Sequence, residues 1–319
     1  MTRTFIGIDV SKDSLDAHAR PTSLARRFAN TAAGIAELIA WAKPLAAERI
    51  VFESTGPYQK AAVGALLAEG LPAVVVNARQ VRDFAKAMNR LAKTDTIDAS
   101  VIAHFGEVAT TTVRPLPSEE ARSLQELYDR RGQLVRMLSV EKNQRHSATA
   151  AGASSKVIRS IDKHIDYLER QIEDLEGRMD AIVESSATFK ARDEILQTIT
   201  GVGPQVSRTL LAHLPELGKC SRQKIAALVG LAPFNDDSGT HARARHIRGG
   251  RSKVRLGLYQ AAVAAIRHCP RMMAFYASLK GRGKASRVAL IAVARKLLVL
   301  ANALIRDMKP YQAPANSVC

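Results

Sequence analysis

Short alternations of apolar and polar residues open the chain. Residues 4–10 (TFIGIDV), 14–19 (SLDAHA) and 25–29 (ARRFA) are β-rich or alternating, with turn formers between them, and predict a three-stranded meander. Thr31 is placed to cap a helix running to about residue 45. Residues 49–53 (RIVFE) then predict a strand, 58–69 a helix and 72–76 another strand. Strands that alternate with helices imply a mixed α/β sheet. Residues 78–90 continue as a helix with Val81, Phe84, Ala85 and Met88 on one side, and residues 95–107 predict a further short helix.

Beyond Pro115 and Pro117 the period changes. Ser118 followed by Glu119 and Glu120 is a helix start, and a long helical region follows. Its second half carries Ile158, Ile161, Ile165, Leu168, Ile172, Leu175, Met179 and Ile182 at alternating steps of three and four, a coiled-coil seam. The seam over residues 124–138 is shorter and less regular. With residues 148–155 as a small-residue turn, the halves either fold back as an antiparallel hairpin or pair with another subunit; the preferred expectation is a hairpin arm that also dimerises. Residues 195–214 (ILQTITGVGPQVSRTLLAHL) read as helix, Gly-Val-Gly-Pro turn, helix. That form lets Gly201 and Gly203 bring backbone N–H groups to a phosphate, as in a helix-hairpin-helix, and a plain packing turn fits equally. Helices at 221–229, 252–268 and 285–307 complete a mostly helical C-terminal part. The expected organisation is an α/β domain over 1–115, a helical arm over 116–190 and a basic domain over 191–319.

Charge sharpens this division. Of 47 basic and 30 acidic residues, 22 and 6 fall in 190–319, which leaves 25 and 24 for 1–189. Between Ser238 and Arg306 there is no Asp or Glu, yet 15 Lys and Arg. A solvated surface mixes signs, so this excess favours a polyanionic partner, DNA or RNA. In the first part Arg79, Arg82, Lys86, Arg90 and Lys93 recur at three- or four-residue steps as a basic stripe, a pattern that a solvated helix face also produces. Cys220, Cys269 and Cys319 lack the spacing of a zinc site or disulfide framework, which points to a reducing compartment. Neither a signal-like N-terminus nor an apolar run of roughly 18 residues is seen. The expectation is a cytoplasmic protein with no membrane partner.

Four acidic residues stand where strand ends and a helix start can converge. Asp9 ends the first strand in GIDVSK, Glu53 ends the fourth in FESTG, and Asp95 and Asp98 share a helical face at i, i+3 in KTDTIDA. On a strand order of the ribonuclease-H kind they would gather around two hard cations, which demand oxygen ligands and drive phosphoryl transfer. Ser238 lies in DDSG, by itself an ordinary turn. After it His241, Arg243 and Arg245 alternate as on one strand face, and Arg248, Arg251, Lys253 and Arg255 extend the cluster. A serine attacking a phosphodiester needs such cations.

At these residues the chain resembles a known family. GIDVSK, the Glu of ESTGPY, VNARQVRDFAKAMNRLAKTDTIDA and GLAPFNDDSG are similar, in order, to the DEDD transposases of insertion-sequence family one-ten, the bridge-RNA-guided recombinases. The resemblance implies a RuvC-like ribonuclease-H-fold domain with a coiled-coil insertion and a C-terminal transposase domain. It implies Asp9, Glu53, Asp95 and Asp98 as carboxylates holding Mg²⁺, for which Mn²⁺ substitutes, and Ser238 as nucleophile. It also implies donor and target DNA as substrates, a guide (bridge) RNA and assembly in trans as a dimer or dimer of dimers. A Holliday-junction-resolvase-like nuclease using water, and a non-catalytic nucleic-acid scaffold, are the competing readings of the same residues.

Overall fold

The computed structural model describes residues 3–54, 56–90, 95–109, 118–234, 237–238, 241–242 and 246–312; of 95–97, 237–238 and 241–242 it describes the backbone alone. The chain divides into two compact units, Met1–Leu116 and Pro117–Cys319.

The first unit is built on a five-stranded sheet of order β3-β2-β1-β4-β5. Strands β1 (Phe5–Val10), β2 (Ser14–Arg20) and β3 (Leu24–Ala29) form an antiparallel meander; β4 (Arg49–Glu53) and β5 (Ala73–Val76) run parallel to β1. The alternation in the sequence sorts the two faces. Ile6, Ile8 and Val10 join Leu15, Ala17, Ala19, Ile50 and Phe52 beneath helices α1 (Ala32–Ala42) and α2 (Lys60–Ala68), burying Ile35, Leu38, Ala62 and Leu66. Thr31 caps α1, its side chain accepting from the Gly34 N–H at 3.3 Å.

On the opposite face Val51, Val74 and Val76 pack with Val81 of α3 (Ala78–Ala87) and with Val101 and Ile102 of α4 (Asp95–Val108). Helix α4 lies across β1, β2 and β4. Two glycines let it sit close. A Cβ on Gly7 would stand 2.2 Å from the Ala103 nitrogen and 2.2 Å from the Ala99 carbonyl oxygen, and a Cβ on Gly106 would stand 2.5 Å from Val51 Cγ2. Helix α3 ends earlier than the basic stripe suggests: Asn89 takes a left-handed φ of 55°, so Arg90 leaves the helix face while Arg79, Arg82 and Lys86 remain exposed along it.

In the second unit α5 (Glu119–Ala150) and α6 (Ser155–Ser185) fold back on each other through a turn in which Gly152 has φ +69°. Ser118 caps α5, accepting from the Ala121 N–H at 3.2 Å. Ile165, Leu168, Met179 and Val183 of α6 are buried, and Ile158, Ile161, Ile172, Leu175 and Ile182 are half-buried. Ion pairs Arg131–Glu176 at 2.6 Å and Lys142–Glu169 at 2.7 Å, and a polar contact of 3.0 Å between His164 and Glu141, tie the antiparallel helices together.

The base of this pair joins a helical core made by α7 (Ala187–Gln197), α8 (Pro204–His213), α9 (Arg222–Val229), α10 (Ser252–His268), α11 (Pro270–Gly281) and α12 (Ser286–Asp307). Helix α12 is long and apolar enough to cross a membrane by composition, although Arg295 and Lys296 interrupt its apolar run. Here Val293, Ala294, Leu297, Leu298, Ala301 and Ile305 are buried, and the helix contacts α7, α9, α10 and α11. Between α9 and α10 lie short strands β6 (Pro233–Phe234), β7 (Asp237–Ser238), β8 (His241–Ala242) and β9 (His246–Ile247), pairing β6 with β9 and β7 with β8.

Candidate active site

Strand parity decides which acidic side chains share a surface. Ile6, Ile8 and Val10 point to the α1/α2 side, so Gly7 and Asp9 point to the α4 side. On β4 Val51 packs on that same side, and Glu53 follows it two residues on. Because Ile8 pairs with Phe52 in the parallel ladder, Asp9 and Glu53 end adjacent strands side by side. Both are half-buried, and Asp9 Oδ1 accepts from the Val10 N–H at 3.0 Å. Asp98, also half-buried, precedes Ala99, the residue whose carbonyl presses on Gly7. The backbone contact thus puts Asp98 on the helix that packs against the Asp9 face of the sheet. Asp95 starts the same helix one turn earlier, and its side chain lies outside the described residues. Among the described residues no three His, Cys, Asp or Glu side chains converge closely enough to hold a metal by themselves. The donor set is nevertheless all carboxylate oxygen, the chemistry that Mg²⁺ prefers.

Three further groups share this face, none of them anticipated. Asp16 is the cross-strand partner of Asp9, and its carboxylate takes two hydrogen bonds from Arg27, at 2.7 and 3.1 Å. His18 lies two residues on, opposite Gly7. Burial lowers its pKa, and the charges of Arg20 and Arg90 lower it further; its Nδ1 is buried without a hydrogen-bond partner. Asp16, His18, Arg26, Arg27 and Ala99 line an open cleft of about 310 Å³. In α4, His104 is also held below its ordinary pKa, by burial first and then by Arg20 and Arg90 against the pull of Glu107. The signal was present in β2, where Asp16, His18 and Arg20 alternate with Leu15, Ala17 and Ala19.

In the second unit, Ser238 pairs with His241 where β7 meets β8. Its side chain and those of Arg243 and Arg245 lie outside the described residues. Two family models match the chain: a DEDD-type transposase model over residues 6–149, and the transposase IS116/IS110/IS902 family over residues 193–277. The chain belongs to the IS110 family of transposases. It is 26% identical to the pilin gene-inverting proteins of Moraxella bovis and Moraxella lacunata, over 98% of both chains in each case. It is also 25% identical, over 51% of its own length and 40% of the other's, to the insertion element IS110 uncharacterized 43.6 kDa protein of Streptomyces coelicolor.

This IS110-family transposase distributes its basic residues unevenly in function. Arg79 and Arg82 stand exposed on α3, Arg79 lying 3.8 Å from Asp83. Arg90 acts on His18 and His104. Lys93 lies outside the described residues. Arg248 covers the exposed ring of Phe234, with its guanidinium carbon 5.1 Å from the centroid. Arg251 is committed to Glu216 by two hydrogen bonds, one of 2.6 Å, and Lys253 to Asp129. In the Gly-Val-Gly-Pro turn the two glycines differ. Gly201 has φ +93°, and its Cβ would lie 2.5 Å from the Ala261 carbonyl of α10, whereas Gly203 is exposed at the start of α8 with open space around it. Gly201 therefore serves close packing, and Gly203 has the room to approach a phosphate.

Proposed function

We propose that this transposase cuts and exchanges DNA strands through a serine nucleophile assisted by carboxylate-held Mg²⁺, with sites chosen by a bridge RNA. The observation that carries the reading is the shared face: Asp9 and Glu53 near the ends of adjacent strands on the side that α4, which bears Asp98, packs against. The strand order and the crossing helix support a ribonuclease-H-like, RuvC-like assignment for the first unit. The antiparallel α5–α6 pair supports a coiled-coil arm, and the turn before α8 supports a helix-hairpin-helix.

Asp9, Glu53, Asp95 and Asp98 would hold the ion pair. When bound, Mg²⁺, or Mn²⁺ in its place, would polarise a phosphoryl oxygen and offset the charge that develops on it. Ser238 Oγ passes its proton to solvent and bonds to phosphorus, the bond from phosphorus to one bridging oxygen breaks, that oxygen takes up a proton and leaves as the free hydroxyl end of the strand, and a phosphoserine link holds the other end. Arg243, Arg245 and Arg248 neutralise the phosphate; Arg79, Arg82 and Lys86 hold the RNA. The carboxylates and the serine lie in separate units, and the arm provides a means of dimerisation, so the site assembles in trans between subunits in the cytoplasm.

Trapping end-labelled element DNA on the protein tests the chemistry. Wild type retains label after denaturation, and Ser238→Ala does not. A wild type that cuts DNA yet never carries label would establish hydrolysis by water instead. Mixing Ser238→Ala with Asp9→Asn chains restores part of the activity that neither has alone; silence of the mixture would refute assembly in trans.

A further inference from the structure

Helix α11 is a third cationic surface, separate from α3 and from the β7–β8 pair. Its inner side is fixed by Met272, which is buried, and by Phe275, Tyr276 and Leu279, which are half-buried. The Lys296 ammonium of α12 sits 4.1 Å from the Phe275 centroid and pins that side down. The outer side is different in kind. Arg271, Ala274, Ser278 and Arg282 follow one another at steps of three and four, all exposed, and the Arg282 Nε bonds back to the Ser278 carbonyl at 3.3 Å. The stripe is therefore a saddle of small residues between two arginines whose backbone positions lie about 16 Å apart along the axis. Lys284 and Arg287 extend its far end, both exposed.

Some cations of this unit are neutralised: Arg251 by Glu216, Lys253 by Asp129 and Arg306 by Asp307. Among the described residues Arg271, Arg282, Lys284 and Arg287 have no carboxylate partner. The chain supplies no acid between Ser238 and Arg306 that could provide one. A helix face with cations at both ends and nothing bulky between them lets a polyanion approach the backbone closely. A B-form major groove, about 12 Å wide, admits an α-helix. The A-form groove of duplex RNA is deep and narrow and does not.

We propose that the outer face of α11 seats in duplex DNA, with Arg271 on one phosphate backbone and Arg282 and Lys284 on the other. The proposal rests on the reading that the protein acts on DNA, and it adds a contact that neither the serine nor the carboxylates require.

The test uses the full chain carrying R271Q, R282Q and K284Q together, with binding to a short labelled duplex of arbitrary sequence followed by anisotropy across a salt series. Each phosphate contact contributes about 0.9 to the slope of log affinity against log salt, so the slope becomes shallower by about 2 to 3. Affinity near physiological salt falls about 10- to 100-fold, equally for all sequences. The charge-keeping variant with R271K and R282K retains the wild-type slope, and thermal melting confirms that the variants are folded. An unchanged slope overturns the proposal, as does an equal loss on duplex RNA of the same length. A wild type that binds no duplex DNA at all defeats the underlying functional reading instead.

Discussion

Gly7→Ala places one methyl group where β1 and α4 touch backbone to backbone. The new Cβ would lie 2.2 Å from the Ala103 nitrogen and from the Ala99 oxygen, neither of which belongs to a side chain that can swing away. Ordinary contact is about 3.5 Å, so α4 must withdraw by roughly 1 Å. Overpacking of this kind costs about 1–3 kcal/mol. The larger effect is on the site, because Asp98 rides on α4 while Asp9 and Glu53 stay on the sheet. In the proposed site, a shift of that size between the carboxylates lowers the rate about 100-fold. Urea melts and recombination of a plasmid carrying the element's ends measure the two effects separately. Gly64→Ala is the control, since Gly64 sits inside α2 with nothing within 4 Å of its Cβ position, and it stabilises by about 0.5–1 kcal/mol. A Gly7→Ala protein as stable and active as wild type refutes the packing account. Lost stability with full activity in the folded fraction refutes only the link from α4 to the carboxylates.

Three further outcomes follow from other parts of the molecule. Asp9→Asn lowers strand exchange by orders of magnitude, and excess chelator does the same to wild type; full activity in chelator removes the metal from the scheme. Asn302 is buried, accepts from the Gly218 N–H at 2.9 Å and donates to the Cys220 carbonyl at 2.9 Å, so Asn302→Leu strands two backbone groups. The expected loss is about 1–3 kcal/mol for each, read by chemical denaturation. His213 packs edge-on to Tyr128, and burial holds its pKa below the ordinary 6.5 against the pull of Asp129, whose oxygen is 3.2 Å away but poorly aligned. The unfolded chain then takes up the proton first. His213 thus contributes stability that is present above about pH 6.5 and is lost as pH falls towards the folded value. Melts at about pH 8 and pH 5 check this, and His213→Gln has a flatter profile than wild type.

The meander was legible because β2 alternates Leu15, Ala17 and Ala19 with polar residues, whereas β4 is buried on both faces and reads as the short apolar run Ile50, Val51 and Phe52. Asp9 and Glu53 could be paired from sequence because strand ends are marked by GIDVSK and FESTG. Asp16 could not, even though SLDAHAR alternates plainly, because its value depends on which residue lies across the ladder and on Arg27 from the next strand. The basic stripe was right along α3 and failed at Arg90, where a left-handed Asn89 redirects the chain; Asn permits that conformation without announcing it. Gly201 shows the opposite case. The motif suggested phosphate contact, and the reason for the glycine is instead a carbonyl of α10, some sixty residues away in sequence.

The position of α12 has a consequence for how the molecule is made. Its residues fill the centre of a core whose other walls are α7, α9, α10 and α11, all synthesised earlier. From the start of α7 at residue 187 to the end of α12 at residue 307 is about 120 residues, roughly 6 to 24 s of ribosome time. Through that interval the α/β unit can already be folded while the helical unit lacks its central pillar and shows the apolar sides of four helices to solvent. The helical unit is therefore the late half of the protein, and a nascent chain stalled before residue 286 should be captured by holdases with its first unit intact.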